Sequence, residues 1–430
     1  FRIFPAKNLQ IPQSKPYTIS RAKRAYCLQT MSQPVNIILK RGEADRIRTG
    51  HPWVYESSVD RLTRKAKDGE VVQVKDNKNR YLGIGLYNSK SRISVRLLSK
   101  TRRPIDRDFF RERIGAALNV RKRHMPTASS YRVVNAESDF LSGVIVDKYE
   151  DVLVLQVSSL GMDQRKDDIV AVLQELLEPK AIVERSDAGS RKFEGLEESN
   201  GLLAGEHDGV IDAKLNELSF EVDVKGGHKT GTYLDQQTNY LQVAELISRH
   251  PKAKVLDCFT FQGGFAIHAA KAGAQQVIGI DQSDDALAAA GRNAAANQVA
   301  ERCEFVTANV FDWLKSHTGK DRKDEDLFDC IILDPPSFTR SRKTVGDALR
   351  GYKEIHVRAM KLLKPGGLLV TFCCSHHVDA DLFHTVVLEA GFDTHTTLRR
   401  VATFTQSADH PIIPAIAETE YLKGFAFELA

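Results

Sequence analysis

Two short stretches carry residues suited to one particular chemistry: Leu333-Asp-Pro-Pro-Ser-Phe338 and, further on, Phe372-Cys-Cys-Ser375. Consecutive prolines fix the backbone, so the Asp334 carboxylate and nearby carbonyls are held rigidly. Such an acceptor suits the edge of a planar nitrogen heterocycle, which it can grip or whose ring it can polarise. A thiolate beside it has a definite use. Added to C6 of a pyrimidine, it converts the ring to an enamine whose C5 attacks the electrophilic methyl of a sulfonium donor. A base then removes the C5 proton and the thiolate leaves. Neighbours on a strand face opposite ways, so at most one of Cys373 and Cys374 enters such a pocket while the other packs. A cysteine ending a buried strand is also consistent with plain packing, as we read Cys303 and Cys330. His376, His377 and Asp334 are all candidates for the C5 proton.

The donor needs a cradle, and Val255-Leu-Asp-Cys-Phe-Thr-Phe-Gln-Gly-Gly-Phe265 followed by Val277-Ile-Gly-Ile-Asp281 has its form. The pattern reads as a strand ending at Asp257, a turn in which Gly263 and Gly264 let the backbone approach a ligand, a helix, and a second strand. The carboxylate at its end, Asp281, can accept both ribose hydroxyls. Asn309, after the third strand, is placed to hydrogen-bond an adenine edge. The turn lacks the regular G-x-G-x-x-G of a nicotinamide dehydrogenase.

The elements that must position these residues alternate strand and helix from Lys252 onward, with strands near 254–257, 276–280, 303–306, 328–333 and 367–373 and a last candidate at 421–427. This predicts an α/β, Rossmann-like doubly wound sheet with its ligands at the carboxyl ends of the strands. Residues 227–430 form that catalytic unit. Residues 34–105 show short β-rich runs (35–39, 71–74, 81–86, 93–97) and resemble a PUA domain, a small RNA-binding barrel. Between them, residues 106–226 read as a basic linker helix and a β-β-α-β-β unit: strands at 142–147, 152–157, 181–184 and 218–224, with a helix over 163–177. Residues 1–33 are expected to be an unfolded tail: a leader, vector-derived sequence or an organellar targeting peptide.

Charge is distributed unevenly. Residues 31–130 hold 23 Lys and Arg against 10 Asp and Glu, and residues 131–430 hold 32 against 46. A basic front joined to an acidic body fits an RNA-binding module attached to a catalytic one. Arg46 and Arg48, near Trp53, are candidates for phosphate contact and base stacking, although the Trp53 ring could equally be core. No apolar run approaches the roughly 18 residues that span a bilayer. The six cysteines include no C-x-x-C pair, which argues against zinc and points to a reducing compartment. The expected location is cytoplasmic, or organellar if the tail is a transit peptide.

From about residue 34 to the end, the chain resembles the RNA large-subunit methyltransferase I family, class I enzymes that form 5-methylcytosine in 23S rRNA with S-adenosylmethionine. The resemblance rests on Gly50-His-Pro-Trp-Val54, Glu137-Ser-Asp139 with Gly143 and Asp147, and Gly227-His-Lys-Thr-Gly231. It continues through Tyr233-Leu-Asp-Gln236, Cys258-Phe259, Gly263-Gly-Phe265, Asp334-Pro-Pro336 with Phe338, and Arg350-Gly-Tyr-Lys353. Thr371-Phe372, Cys374-Ser375, Ala408-Asp-His-Pro411 and Tyr421-Leu-Lys-Gly-Phe425 complete it. It implies that Cys374 is the nucleophile, that Asp334 holds the N3/N4 edge of cytosine, and that the Phe259–Phe265 turn cradles the methionine part of the cofactor. Asp235, Gln236, Asp257, Asp281, Asn309 and Asp334 would also border the cofactor, and Lys353 would face RNA. The chain departs from the family pattern at Gln237 (usually Arg), Asn309 (usually Asp) and Ser337 (commonly Lys). An N-methyltransferase on guanine or adenine, with Cys374 only structural, and a non-catalytic RNA-binding assembly factor are the other readings. The partner expected is large-subunit rRNA or an assembling subunit.

Overall fold

The computed structural model describes residues 34–187, 189–225, 231–319, 324–339 and 341–430. The expected tail, and His228 with its neighbours in the Gly227–Gly231 stretch, lie outside the described residues, apart from Gly231 itself.

Six strands make the first sheet: β1 Asn36–Leu39, β2 Trp53–Tyr55, β3 Val59–Leu62, β4 Val71–Lys75, β5 Tyr81–Tyr87 and β6 Ile93–Ser99, in the order β2-β6-β5-β4-β1-β3. Four match the expected runs. β2 and β3 are short and carry charged or half-exposed residues, so they leave little hydrophobic signal. Helix α1, Arg107–His124, starts at Asp106, whose side chain accepts the Phe109 amide as an N-cap. It packs with α2, Lys166–Leu177, on the second sheet, in a core that also takes Leu86 and Leu98 from the first.

The second sheet runs β11-β10-β9-β8-β7, with β7 Tyr131–Asn135, β8 Val144–Tyr149, β9 Val152–Val157, β10 Ala181–Ser186 and β11 Ser199–Gly205. The expected β-β-α-β-β order is present as β8-β9-α2-β10-β11, with the last strand placed differently from the expected 218–224. One strand, β7, is added, and the 218–224 run is not part of this sheet. It forms β13, Leu218–Asp223, paired only with β12, Val210–Leu215. That hairpin packs its inner residues into the core of the third sheet. Its backbone amides at Ser219 and Glu221 donate to Asn297 and Asn293 at 3.0 and 2.8 Å.

The third sheet has seven strands in the order β16-β15-β14-β17-β18-β20-β19. These are β14 Lys254–Cys258, β15 Gln276–Asp281, β16 Cys303–Thr307, β17 Phe328–Leu333, β18 Leu363–Cys373, β19 Leu398–Thr405 and β20 Lys423–Leu429. The first five are parallel; β20 and β19 close the edge antiparallel. Helices α3 Gln237–Ser248, α4 Gly264–Lys271 and α5 Asp284–Ala296 pack on one face. Helices α6 Val310–His317, α7 Val345–Leu362 and α8 Ala380–Asp393 pack on the other. β19 was not expected, because an edge strand reading Leu-Arg-Arg-Val-Ala-Thr-Phe-Thr exposes most of its side chains.

Between α7 and β18, His356 is fully buried; its Nδ1 lies 2.6 Å from the Tyr352 carbonyl and its Nε2 2.8 Å from Thr371 Oγ1. The carbonyl only accepts, so Nδ1 carries the proton and Nε2 accepts from the hydroxyl. Burial pushes its pKa down to about 4. A folded-state value below the unfolded one means that His356 favours folding above pH about 6.5, and that this is lost as pH falls toward 4, by at most about 3 kcal/mol. Urea midpoints should therefore fall across that window, and the slope should be shallower in His356→Gln; equal slopes would contradict the assignment.

Candidate functional site

The carboxyl ends of β14, β15, β17 and β18 face one another, and the candidate residues gather there. Cys373 ends β18 and Cys374 follows it, and the two thiols point to different surroundings. Cys373 is fully buried in the α7–α8 core, with its sulfur 3.3 Å from the Tyr352 hydroxyl. Cys374 is half-buried, and its sulfur lies 3.9 Å from the Pro335 carbonyl, at the Asp-Pro-Pro loop. Hydroxyls fasten the loop to the strand end: Ser337 Oγ lies 2.9 Å from Ser375 Oγ, which is 3.0 Å from the Tyr352 hydroxyl. Ser337 thus ties the loop to the strand end.

Lys423, for which sequence reading found no role, reaches this point from β20. Its ammonium donates to the Ser375 and Tyr421 carbonyls at 2.7 and 2.9 Å. Burial lowers its pKa, while Cys373 and Cys374 act in the opposite sense. A cation held beside Cys374 favours the thiolate. Lys423→Met should slow iodoacetamide labelling of Cys374 at neutral pH by about three- to tenfold and move the labelling profile upward in pH. Peptide mass spectrometry would read this, and an unmoved profile would contradict it. The signal for Lys423 was its place in the Tyr421–Phe425 match, without a chemical reason attached.

Asp334, half-buried, accepts at Oδ2 from the Gln236 side-chain amide at 3.0 Å. Gln236 therefore meets Asp334 directly. Asp235, beside it in the Leu234–Gln236 turn, accepts from the Tyr421 hydroxyl at 2.6 Å. His376 stands 5.7 Å from the Tyr421 ring, open to solvent on one side, and its pKa is lowered, first by the protein crowding its other side and then by Lys423 and His377. Tyr233 packs edge-on against Phe261 at 5.2 Å, spanning the space between this carboxylate and the glycine turn.

The turn between β14 and α4 is wound by three left-handed residues, Phe259 (φ 65°), Phe261 (φ 51°) and Gly263 (φ 84°). Each glycine also makes room for neighbouring side chains. A Cβ on Gly264 would lie 2.5 Å from the Tyr240 ring, and one on Gly263 would meet Ile267 and Ala290 at 3.1 and 3.3 Å. Both admit neighbouring protein. Asp281 accepts from the Phe261 and Ser283 amides at 3.0 and 3.1 Å, which ties the turn to the end of β15. Asn309 caps α6, its Oδ1 accepting from Phe311 at 2.9 Å. The oxygen expected to receive an adenine amine is therefore engaged in the helix cap.

Asp257 accepts from Thr260 Oγ1 and the Ala266 amide at 2.6 and 3.0 Å through Oδ2, while its buried Oδ1 has no partner. Burial raises its pKa to about 7. An unpartnered buried carboxylate oxygen beside a wound turn, with Asp281 one strand away, fits a ligand carrying both an amine and a ribose, as S-adenosylmethionine does.

The candidate RNA residues sit elsewhere. Arg46 pairs with Glu418 at 2.9 Å, and His51 meets the same carboxylate at 2.9 Å, so this edge of the first sheet docks on the loop before β20. Arg48 pairs with Asp45 and Asp76. The Trp53 indole donates to Glu137 at 3.0 Å, placing the ring at the junction of the first and second sheets. Lys353 pairs with Asp393 and Glu389 at 3.0 and 3.5 Å, on α8. Gln237, the other departure, donates to the Ser130 carbonyl at 3.1 Å.

Residues 37–100 match the PUA-like domain family, and residues 195–422 match the S-adenosylmethionine-dependent methyltransferase family. Over 91% of its length the chain is 38% identical to ribosomal RNA large subunit methyltransferase I of Photobacterium profundum and of Aliivibrio fischeri, covering 98% of each. The structure of an S-adenosylmethionine-dependent methyltransferase from Streptococcus mutans superposes with a TM-score of 0.76 at 21% identity, over 91% of this chain and 99% of that one. Among the described residues no helix is long and apolar enough to cross a membrane.

Proposed function

Because the chain belongs to the ribosomal RNA large subunit methyltransferase I family, whose members use S-adenosylmethionine, we propose that it methylates C5 of a cytosine in large-subunit rRNA through a transient bond between Cys374 and C6 of the base. The observation that carries this reading is the separation of the thiols, one locked into the core by Tyr352 and the other placed at the Asp-Pro-Pro loop. A purely structural pair would not need a half-buried sulfur at that loop.

When bound, S-adenosylmethionine supplies an electrophilic methyl group. Asp257 would hold its amine, Asp281 its ribose, and the Asn309 amide nitrogen its adenine edge. The residues of the chain do the rest. Asp334 accepts from the cytosine amine and orients the ring, and Cys374, kept toward its thiolate by Lys423, adds to C6 and makes C5 nucleophilic. Once C5 carries the methyl group, His376 takes the C5 proton. Its lowered pKa keeps the imidazole neutral and able to receive it. Thiolate departure restores the ring.

RNA would lie across the basic first domain. A cavity of about 410 Å³ there, lined by Ile47, Arg48, Arg80, Tyr81, Leu82 and Lys100, sets Lys100 and two arginines paired with Asp76 around an apolar floor, suited to a sugar with Lys100 toward its phosphate. Nucleoside analysis of rRNA from cells lacking the gene tests the reading. One 5-methylcytosine should vanish and return with the wild-type gene; loss of a methylated purine instead would favour N-methylation.

A further inference from the structure

We propose that Gln236 is a positioning residue for Asp334, set by a one-way relay of hydrogen bonds that starts at the main chain of β19, and that it is not a cofactor contact. The inference rests on the reading that Asp334 grips the substrate base.

The relay can be followed from its fixed end. The Thr405 carbonyl can only accept, and Asn239 Nδ2 donates to it at 3.0 Å. The same nitrogen donates to Gln236 Oε1 at 2.6 Å. Turning the Asn239 amide over would set its oxygen against two acceptors, so its orientation is determined. That determines the next amide: with Oε1 on Asn239, Gln236 must present Nε2 to Asp334, and it does so at 3.0 Å. Both amides are almost fully buried, at 2% and 1% exposure, so water does not compete for these positions. The Asn239 oxygen has no partner, the cost of a relay whose polarity is set by its donors.

The anchor is informative too. Thr405 stands opposite Lys423 in the β19–β20 register. Lys423 in turn holds the Ser375 carbonyl next to Cys374. The carboxylate that grips the base and the thiol that attacks it are therefore both referenced to one rung of the antiparallel edge of the sheet. A donor directed at Asp334 favours its anion over its acid. An anion accepts from an exocyclic amine and repels a carbonyl oxygen at the same ring position, so the relay selects a base bearing an amine, as cytosine does and uracil does not.

The test is single-turnover transfer from radiolabelled S-adenosylmethionine to large-subunit rRNA purified from cells lacking the gene, measured across pH about 3.5 to 8.5 so that the range takes in the titration of a carboxylate. Gln236→Leu should lower the rate on the acid limb by about tenfold more than on the alkaline plateau, a shift of about one pH unit. Its affinity for the cofactor, measured by calorimetry, should stay within about twofold of wild type. Asn239→Leu leaves Asp334 and Gln236 intact but frees the amide to turn. It should shift the limb in the same direction, and the double variant should be no worse than Gln236→Leu alone. Asn239→Leu also carries the test if Gln236→Leu does not fold. An unmoved acid limb overturns the relay, as does a loss of cofactor affinity without a limb shift. Nucleoside analysis of the wild-type product in the same reactions reports the base separately, so a failure of the cytosine reading is not mistaken for a failure of the relay.

Discussion

Cys374→Ala is expected to lower methyl transfer by roughly ten-thousandfold or more, with cofactor binding retained. The reason is chemical. Pyrimidine C5 is a poor nucleophile until C6 is saturated, and among the described residues no other thiol is placed to saturate it: Cys373 is buried and hydrogen-bonded to Tyr352, Cys258 and Cys330 lie within the sheet core, and Cys303 opens β16 at the far end of its strand. Burial drives the Cys258 and Cys330 thiols strongly toward their protonated form. Cys373→Ala should behave oppositely, keeping transfer within about threefold of wild type while costing about 1 to 3 kcal/mol of stability from the lost contact and the small cavity. Assays of both variants on the same rRNA, with urea unfolding alongside, separate the roles. Near-normal transfer by Cys374→Ala would assign the chemistry to Asp334 and a nitrogen target.

Arg121→Met is the second large effect, and it concerns the assembly that presents the site. The Arg121 guanidinium, 1% exposed, makes paired bonds to Asp139 at 2.6 and 2.7 Å and a third to the Asp409 carbonyl at 2.7 Å. Asp409 also accepts the Arg132 amide at 2.8 Å, so one loop of the catalytic unit is tied to α1 and β7 together. Removing the guanidinium leaves Asp139 buried without its ion partner, which costs about 3 to 5 kcal/mol. Urea unfolding monitored by circular dichroism should show that loss. Replacing Asp139 by Asn in the same chain should recover part of it, since the stranded charge is then gone. A loss below about 1 kcal/mol would mean that solvent relieves the pair.

What the sequence revealed follows from burial. β14 and β17 are covered on both faces and read as continuous hydrophobic runs, so their limits were visible to within a residue. β19, β11 and β12 lie at edges or in a two-stranded hairpin and carry polar, exposed residues, so they left little signal. The places of Cys374 and Asp334 at the ends of neighbouring strands were legible because a strand end and a double proline fix them locally. The partner of Asp334 was not, because Gln236 lies 98 residues away and approaches from a helix start that only the folded chain brings near. Lys423 was hidden for the same reason, its contacts being main-chain carbonyls that no motif encodes. Arg46, Arg48 and Lys353 show the converse. Their basic character was plain, and the carboxylates that engage them were visible only in three dimensions.

The covalent step is tested most directly by trapping. Large-subunit rRNA in which cytidines are replaced by 5-fluorocytidine would be incubated with the protein and S-adenosylmethionine, then resolved under denaturing conditions. Fluorine at C5 cannot leave as a proton does, so the bond between Cys374 and C6 should persist. A protein–RNA band should form with wild type and with Cys373→Ala, and should be absent with Cys374→Ala. Methyl transfer to unsubstituted rRNA without any trapped band, or an undiminished band from Cys374→Ala, would contradict the account.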